Sequence, residues 1–182
     1  GLGTRTLFAH MGGDVGSENE WLAGVSVLKT QTAGGEDGFS GDATVYVADG
    51  TGKWAPQGNF KDGGITVRGE YLVDDRDGLY ADPDGAGSIL PWPGKSRGAY
   101  LEGVYRFNRT WDIGYRFDKL WSGDDSSFAG LPFAVAGFDP SRNSAELTWR
   151  NSEFSLVRLQ LSRERPNPDD TDNAVVLQYQ TS

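Results

Sequence analysis

Hydrophobic and polar residues alternate along much of this chain with a period of two, and the pattern is clearest from Gly98 to Trp121. Odd positions carry Ala99, Leu101, Gly103, Tyr105, Phe107, Trp111, Ile113, Tyr115, Phe117 and Trp121, while Glu102, Arg106, Asp112, Arg116 and Asp118 fall on even ones. Successive side chains of a strand point to opposite faces, so this spacing predicts strands rather than helix. A three-residue loop at Asn108-Arg109-Thr110 folds the stretch into a hairpin with Phe107 opposite Trp111. Further pairs follow by stepping outward: Arg106 faces Asp112, Glu102 faces Arg116, Tyr105 faces Ile113 and Leu101 faces Phe117. A two-residue loop at the same place would set apolar residues against charged ones throughout, so side-chain sorting selects the register.

Weaker alternation marks the rest of the chain. Arg5 to Met11 places Leu7, Ala9 and Met11 together, and Glu20 to Thr30 places Trp21, Ala23, Val25 and Val27 together. Ala43 to Asp49 carries Val45 and Val47 on one face, and Lys53 to Asn59 reads as a turn around Pro56 and Gly58. Ile65 to Val73 sets Ile65, Val67, Gly69, Tyr71 and Val73 against Arg68 and Glu70. In Ser144 to Arg150, Ala145, Leu147 and Trp149 oppose Glu146, Thr148 and Arg150, and in Ser155 to Arg163, Val157, Leu159 and Leu161 oppose Arg158 and Gln160. A loop at Asn151-Ser152-Glu153 aligns Leu147 with Val157 and Glu146 with Arg158. The last strand sets Val175, Leu177 and Tyr179 against Gln178 and Gln180.

These segments make about eight or nine strands with connections of alternating length. Asp14 to Asn19, Ala55 to Asp62, Asn108 to Thr110 and Asn151 to Glu153 are short. Thr32 to Asp42, Asp74 to Lys95 and Ser122 to Arg142 are long, Glu164 to Thr171 is intermediate, and the polar Asp74 to Lys95 is expected to contribute no core element. An apolar face on such strands suits either a soluble core or lipid. Short turns at one end and long loops at the other are the arrangement of outer-membrane barrels, whose interface aromatics form girdles. Trp21, Phe107, Trp111, Phe117, Trp121, Trp149 and Tyr179 are the aromatics so expected. The expected fold is therefore all-β, one antiparallel up-and-down transmembrane β-barrel domain over residues 1–182, or the C-terminal portion of one.

Composition narrows the chemistry. Among 182 residues, 37% are hydrophobic and none of the runs approaches the roughly 18 apolar residues of a membrane helix. A mean hydropathy of -0.51 is compatible with barrel strands, which alternate. The net charge of -9 argues against nucleic acid as a partner. With no cysteine and His10 the only histidine, neither disulfides, nor a zinc site built on thiolates or imidazoles, nor a histidine-based triad can form. Asp75, Asp77, Asp82 and Asp84 offer hard oxygen ligands, but Asp82-Pro83-Asp84-Gly85 lacks the glutamate of a calcium-binding loop. These loops are expected to be solvated or to meet lipopolysaccharide through bridging cations. No signal-like segment lies at Gly1, which reads as a mature chain or a fragment.

Several stretches carry a resemblance. Trp21-Leu22-Ala23-Gly24-Val25-Ser26, Lys53-Trp54-Ala55-Pro56-Gln57-Gly58-Asn59, Gly69-Glu70-Tyr71, Tyr105-Arg106-Phe107 with Trp111 to Leu120, and Asn173 to Gln180 resemble the C-terminal half of a family of proteobacterial outer-membrane barrels. Members are often labelled porin-like, or zinc-regulated TonB-dependent outer-membrane proteins. The resemblance implies outer-membrane localisation and further strands ahead of the matched part. The plug domain and energy-coupling box of true TonB-dependent receptors are not visible.

The candidate functional residues are the charged row Arg68, Glu70, Glu102, Arg106, Asp112, Arg116, Asp118, Glu146, Arg150 and Arg158. Lining a lumen, their mixed signs would set a field that selects small hydrophilic solutes or ions. In a narrow, filled barrel the same residues would only satisfy one another, leaving a structural scaffold. The reading from another class is a soluble β-sandwich module binding a carbohydrate-like ligand through exposed tryptophans. Carboxylates paired with arginines read as structural, so neither an enzyme, a cofactor nor a resident metal is expected. The expected partners are outer-membrane lipid, lipopolysaccharide, the permeating solute and either a homo-oligomer or additional barrel strands. The apolar patch Phe128 to Phe138 folds inward or onto a partner, or packs on itself.

Overall fold

The structure, a computed structural model, describes residues 3–33, 38–81, 89–91, 94–121 and 138–181. It is all-β apart from one 3-10 turn at Pro56–Gly58. The strands are β1 (Arg5–Val15), β2 (Asn19–Ala33), β3 (Phe39–Trp54), β4 (Gly64–Ala81), β5 (Ile89–Pro91), β6 (Lys95–Arg106), β7 (Trp111–Trp121), β8 (Ser141–Ser152), β9 (Ser155–Arg165) and β10 (Asp172–Thr181). They form one up-and-down sheet, ordered β1-β2-β3-β4-β6-β7-β8-β9-β10, with the short β5 paired to β4. Every neighbouring pair is antiparallel. Among the described residues β1 and β10 do not pair with each other, so the sheet is open.

The hairpin β6–β7 has the register that side-chain sorting selects: Arg106 opposite Asp112, Tyr105 opposite Ile113, Glu102 opposite Arg116 and Leu101 opposite Phe117. The Phe107 amide donates to the Trp111 carbonyl at 3.3 Å, and Asn108 Oδ1 accepts from the amides of Thr110 and Trp111 at 2.8 and 2.9 Å. One asparagine side chain thus satisfies two loop amides that would otherwise need water.

The β8–β9 hairpin departs from expectation by two positions. Leu147 faces Leu159, not Val157, and Thr148, not Glu146, faces Arg158. The tight turn lies at 153–154, with Ser152 opposite Ser155 and a bulge between Arg150 and Ser152. A slip of two keeps every side chain on its face, so sorting alone cannot see it. Local bonds decide: the Ser152 and Ser155 hydroxyls lie 2.7 Å apart, Ser155 Oγ donates to Asn151 Oδ1, and the Phe154 amide donates to Ser152 Oγ at 3.2 Å.

Two further expectations are corrected. The polar stretch after Val73 is not all connection, because β4 runs on to Ala81 and pairs with β3 and β5. Its polar residues bond along and across the sheet: the Arg76 guanidinium lies 2.8 Å from Asp74 and stacks over Phe39, and Lys95 Nζ lies 3.1 Å from Asp75. Strand β3 likewise extends from Phe39 to Trp54, well beyond Ala43 to Asp49, so Lys53 and Trp54 belong to a strand and the turn begins at Ala55. Consequently Val45 and Val47 share a face with Asp49, opposite Asp74 and Leu72, and Tyr46 and Ala48 take the other face. The lengthened strands leave 34–38 shorter than 55–63, so the contrast in connection length holds on the β6–β10 side only.

The turn around Pro56 docks on the first turn of the chain. Ala55 donates to the Glu18 carbonyl at 2.8 Å and the Gln57 amide to Glu18 Oε1 at 2.9 Å. Gly58 has φ 72, and a Cβ there would sit 2.7 Å from the Ser17 carbonyl oxygen, so the close approach of the two turns requires glycine.

Candidate functional site

All ten charged-row residues lie on one face of the sheet, as their register shows. From β6 to β9 that face is the more sheltered one, whereas β1 and β10 are exposed on both faces. Asp112 is 3% exposed and Thr148 1%, whereas on the opposite face Leu101 is 60% and Ile113 52% exposed. The usual sidedness of a soluble sheet, apolar in and charged out, is inverted here. The charged face lines two adjoining, partly open hollows of about 330 and 290 Å3 that share Glu102, Glu146 and Arg158.

Within the row, carboxylates bridge strands. Asp112 on β7 accepts from Arg106 Nε on β6 at 2.8 Å and from Arg150 on β8, so one carboxylate ties three strands. Arg106 also donates to the Phe60 carbonyl at 3.1 Å, which holds the 55–63 turn beneath the hollow. Glu102 lies 3.0 Å from Arg68 on β4 and 3.8 Å from Arg116 on β7. Arg116 donates to Asp118 at 2.6 Å along its own strand and lies over the Tyr100 ring at 3.8 Å. Arg158 reaches Glu146 diagonally at 3.6 Å, and its Nε contacts the Thr148 hydroxyl at 3.3 Å. Glu70 faces Asp49 and Tyr100 across its two strand partners and lines a third hollow beside Arg116. Sharing carboxylates in this way leaves guanidinium N–H groups available, since each arginine carries five.

The sequence pattern missed Tyr100, Arg142, Glu164, His10 and Asp49 on this face. Arg142 faces Glu164 and forms an ion pair with it. Carrying the alternation of β8 and β9 two residues further would have found both. His10 Nε2 lies 3.3 Å from Asp49, with Gly24 between them in register. A Cβ on Gly24 would come within 2.3 Å of the imidazole, which explains glycine in the Trp21 to Ser26 stretch. His10 on β1 is separated by two strands from β4, the first strand of the charged row, and reaches it only through Asp49, which faces Glu70; no group of three or more metal-binding side chains occurs among the described residues.

The aromatics expected at interfaces all lie on the other, apolar face. Trp111 and Trp149 face each other and stack with centroids 6.2 Å apart. With Trp21, Phe107 and Tyr179 they lie near the strand ends that carry the turns 16–18, 107–110 and 153–154, and Trp54 and Tyr105 join them. Towards the opposite ends are Phe117 and Trp121, the latter 6.4 Å from Tyr71. Between the two groups lie Gly103 and Ala145 with the aromatic Tyr115, while Leu101 is level with Phe117, and Ile113, Leu147 and Leu159 are level with Tyr105.

Asp75 and Asp77 belong to β4, while Asp82 and Asp84, and the apolar patch apart from Phe138, lie outside the described residues. No helix among the described residues is long and apolar enough to cross a membrane, a statement that does not bear on strands. Compared with family models, with curated proteins and with solved structures, the chain matches none.

Proposed function

We propose that this chain forms wall of an outer-membrane β-barrel, its apolar face in lipid and its charged face lining a passage for small hydrophilic solutes or ions. The observation that carries the reading is the inverted sidedness: nearly buried Asp112 and Thr148 on the charged face, exposed Leu101 and Ile113 on the other. An apolar face of this extent, continuous over nine strands, exceeds what monomeric soluble proteins expose. Aromatics gathered towards both strand ends of the apolar face, with Tyr115, Gly103 and Ala145 between them, support a reading as the girdles of a barrel. A soluble carbohydrate-binding sandwich would need a second layer over that face, and none occurs among the described residues. The short-turn end faces the periplasm, by the rule that periplasmic turns are short.

The passage is lined by five arginines and five carboxylates of the row, so its field is local and mixed in sign rather than uniform. Arg116 lines both the first hollow and the third, and Arg116→Ala is expected to change the ion selectivity recorded in planar bilayers, with Arg106→Ala doing the same nearer the periplasm. Unchanged selectivity in both variants would remove the lumenal role. The density of ion pairs favours a second reading, a barrel whose lumen is blocked and which scaffolds a partner; it predicts insertion and heat-modifiable migration without conductance. Protein that extracts without detergent would sink both.

A further inference from the structure

The two edges of the sheet carry information about what completes it. Nine strands follow one another antiparallel from β1 to β10, so β1 and β10 run in the same direction. Joining them directly would create the single parallel pair of the sheet. Neither edge is guarded against pairing. From Asn173 to Thr181, β10 has no charged residue and no proline, and from Thr6 to Gly13, β1 has none but His10. Their apolar faces are the most exposed of the molecule, with Leu7 75% and Leu177 73% exposed. In hydrocarbon, an unpaired edge amide or carbonyl finds no water to replace its lost hydrogen bond, so the edges are paired in the membrane.

Geometry restricts the occupant. A second copy related by a two-fold axis along the membrane normal brings β10 beside the partner's β1, which is again parallel. A two-fold axis in the membrane plane restores antiparallel pairing but inserts one copy upside down, with its short turns on the outer surface. We infer that the gap between β10 and β1 is filled by an odd number of further strands, antiparallel to both edges and alternating apolar outward with polar inward. This rests on the outer-membrane reading. It also makes the barrel one of ten strands or more, wider than the eight-stranded kind that side chains fill.

The chain lacks cysteine, so introduced pairs report cleanly. In outer membranes containing the natural full-length protein, cysteine at Leu7, Ala9 or Met11 is combined with cysteine at Val175, Leu177 or Tyr179 and treated with a short, membrane-permeant thiol cross-linker. Ala9→Cys with Val25→Cys, which face each other in register, is the positive control. The expected result is no β1–β10 link in any combination, together with amide exchange along Val175 to Gln180 slowed at least about 100-fold relative to a free edge. A link as efficient as the control overturns the inference, as an intramolecular product by direct closure or as a dimer-sized one by a second copy. Fast exchange at every second amide of β10 also overturns it, by showing an open edge. Heat-modifiable migration of the same samples separates the two readings: its loss removes the membrane barrel itself, whereas a β1–β10 link in a heat-modifiable protein removes only the inserted strands.

Discussion

The two hairpins β6–β7 and β8–β9 have the same sidedness, yet they differ in how far their pairing can be read from the residues. In β6–β7 the loop begins at Asn108, whose side chain caps two amides, and the register follows outward from it. In β8–β9 the loop offers Asn151, Ser152 and Ser155 in succession, and their mutual bonds draw the turn to 153–154 with a bulge behind it. Alternation therefore fixes the face of every residue but fixes the register only to within an even number of steps. The turn chemistry supplies the rest.

The largest effect is expected at Asp112, where the two hairpins meet. Asp112→Ala leaves Arg106 and Arg150 without their shared carboxylate in a site that excludes most water. It is expected to cost about 3 kcal/mol, the lower end for one lost partner of a buried pair because both guanidiniums keep some exposure. Urea unfolding in detergent micelles reads the loss, and a cost below about 0.5 kcal/mol would mean that the arginines find water or other carboxylates. Next in size, Asn108→Ala should destabilise by about 1 kcal/mol through two loop amides, without changing which residues face each other in β6–β7.

Ser152→Ala sharpens the contrast at slightly smaller cost, about 0.5–1 kcal/mol. It removes the bonds that favour the turn at 153–154, so a Leu147→Cys, Val157→Cys pair should begin to cross-link where only Leu147→Cys, Leu159→Cys links in the parent. Continued exclusive linking of Leu147 with Leu159 would transfer the choice of register to the β7–β8 contacts instead.

The smallest effect lies at the short-turn end of the sheet, where Arg109 of the β6–β7 loop pairs with Asp62 of the 55–63 turn. The hydrogen bond from Arg109 holds the Asp62 carboxyl below the usual carboxylate range, against the opposing effect of desolvation. A depressed folded-state pKa gives stability that is present above the ordinary carboxylate value and disappears as pH falls through the depressed one. Arg109→Ala should thus lower the unfolding midpoint slightly near neutrality and leave it unchanged in strong acid. A difference independent of pH would assign the pair no electrostatic role.

Much of the wall was legible because alternation is a local property. Every residue of the charged row was assignable to one face from its parity alone. What could not be read were extents. Nothing in the composition of Asp74 to Ala81 distinguishes a solvated loop from a strand that continues with water on its outer side, and the neighbouring β3 decides it by offering Phe39 to Val45 as partners. The same limit hid Arg142 and Glu164. Nor does parity show that Arg150, from the next hairpin, would share the carboxylate of Asp112, because that contact depends on the β7–β8 register across a connection of nineteen residues, 122–140.

The unequal strand lengths give the sheet one tall flank and one short one. Strands β2, β3 and β4 have 15, 16 and 18 residues, whereas β6 to β10 have 12, 11, 12, 11 and 10. If the sheet is the barrel wall proposed above, whose tilted strands need about 9–11 residues to cross the hydrocarbon, β2 to β4 would rise above the bilayer by roughly 15–20 Å while β6 to β10 would stop near its surface. The entrance is then cut obliquely, like the end of a quill. In the barrel proposed above a solute would enter from the low side, across the rim of β6 to β10, past a tall flank that carries Asp42, Asp75 and Asp77 on its outer side.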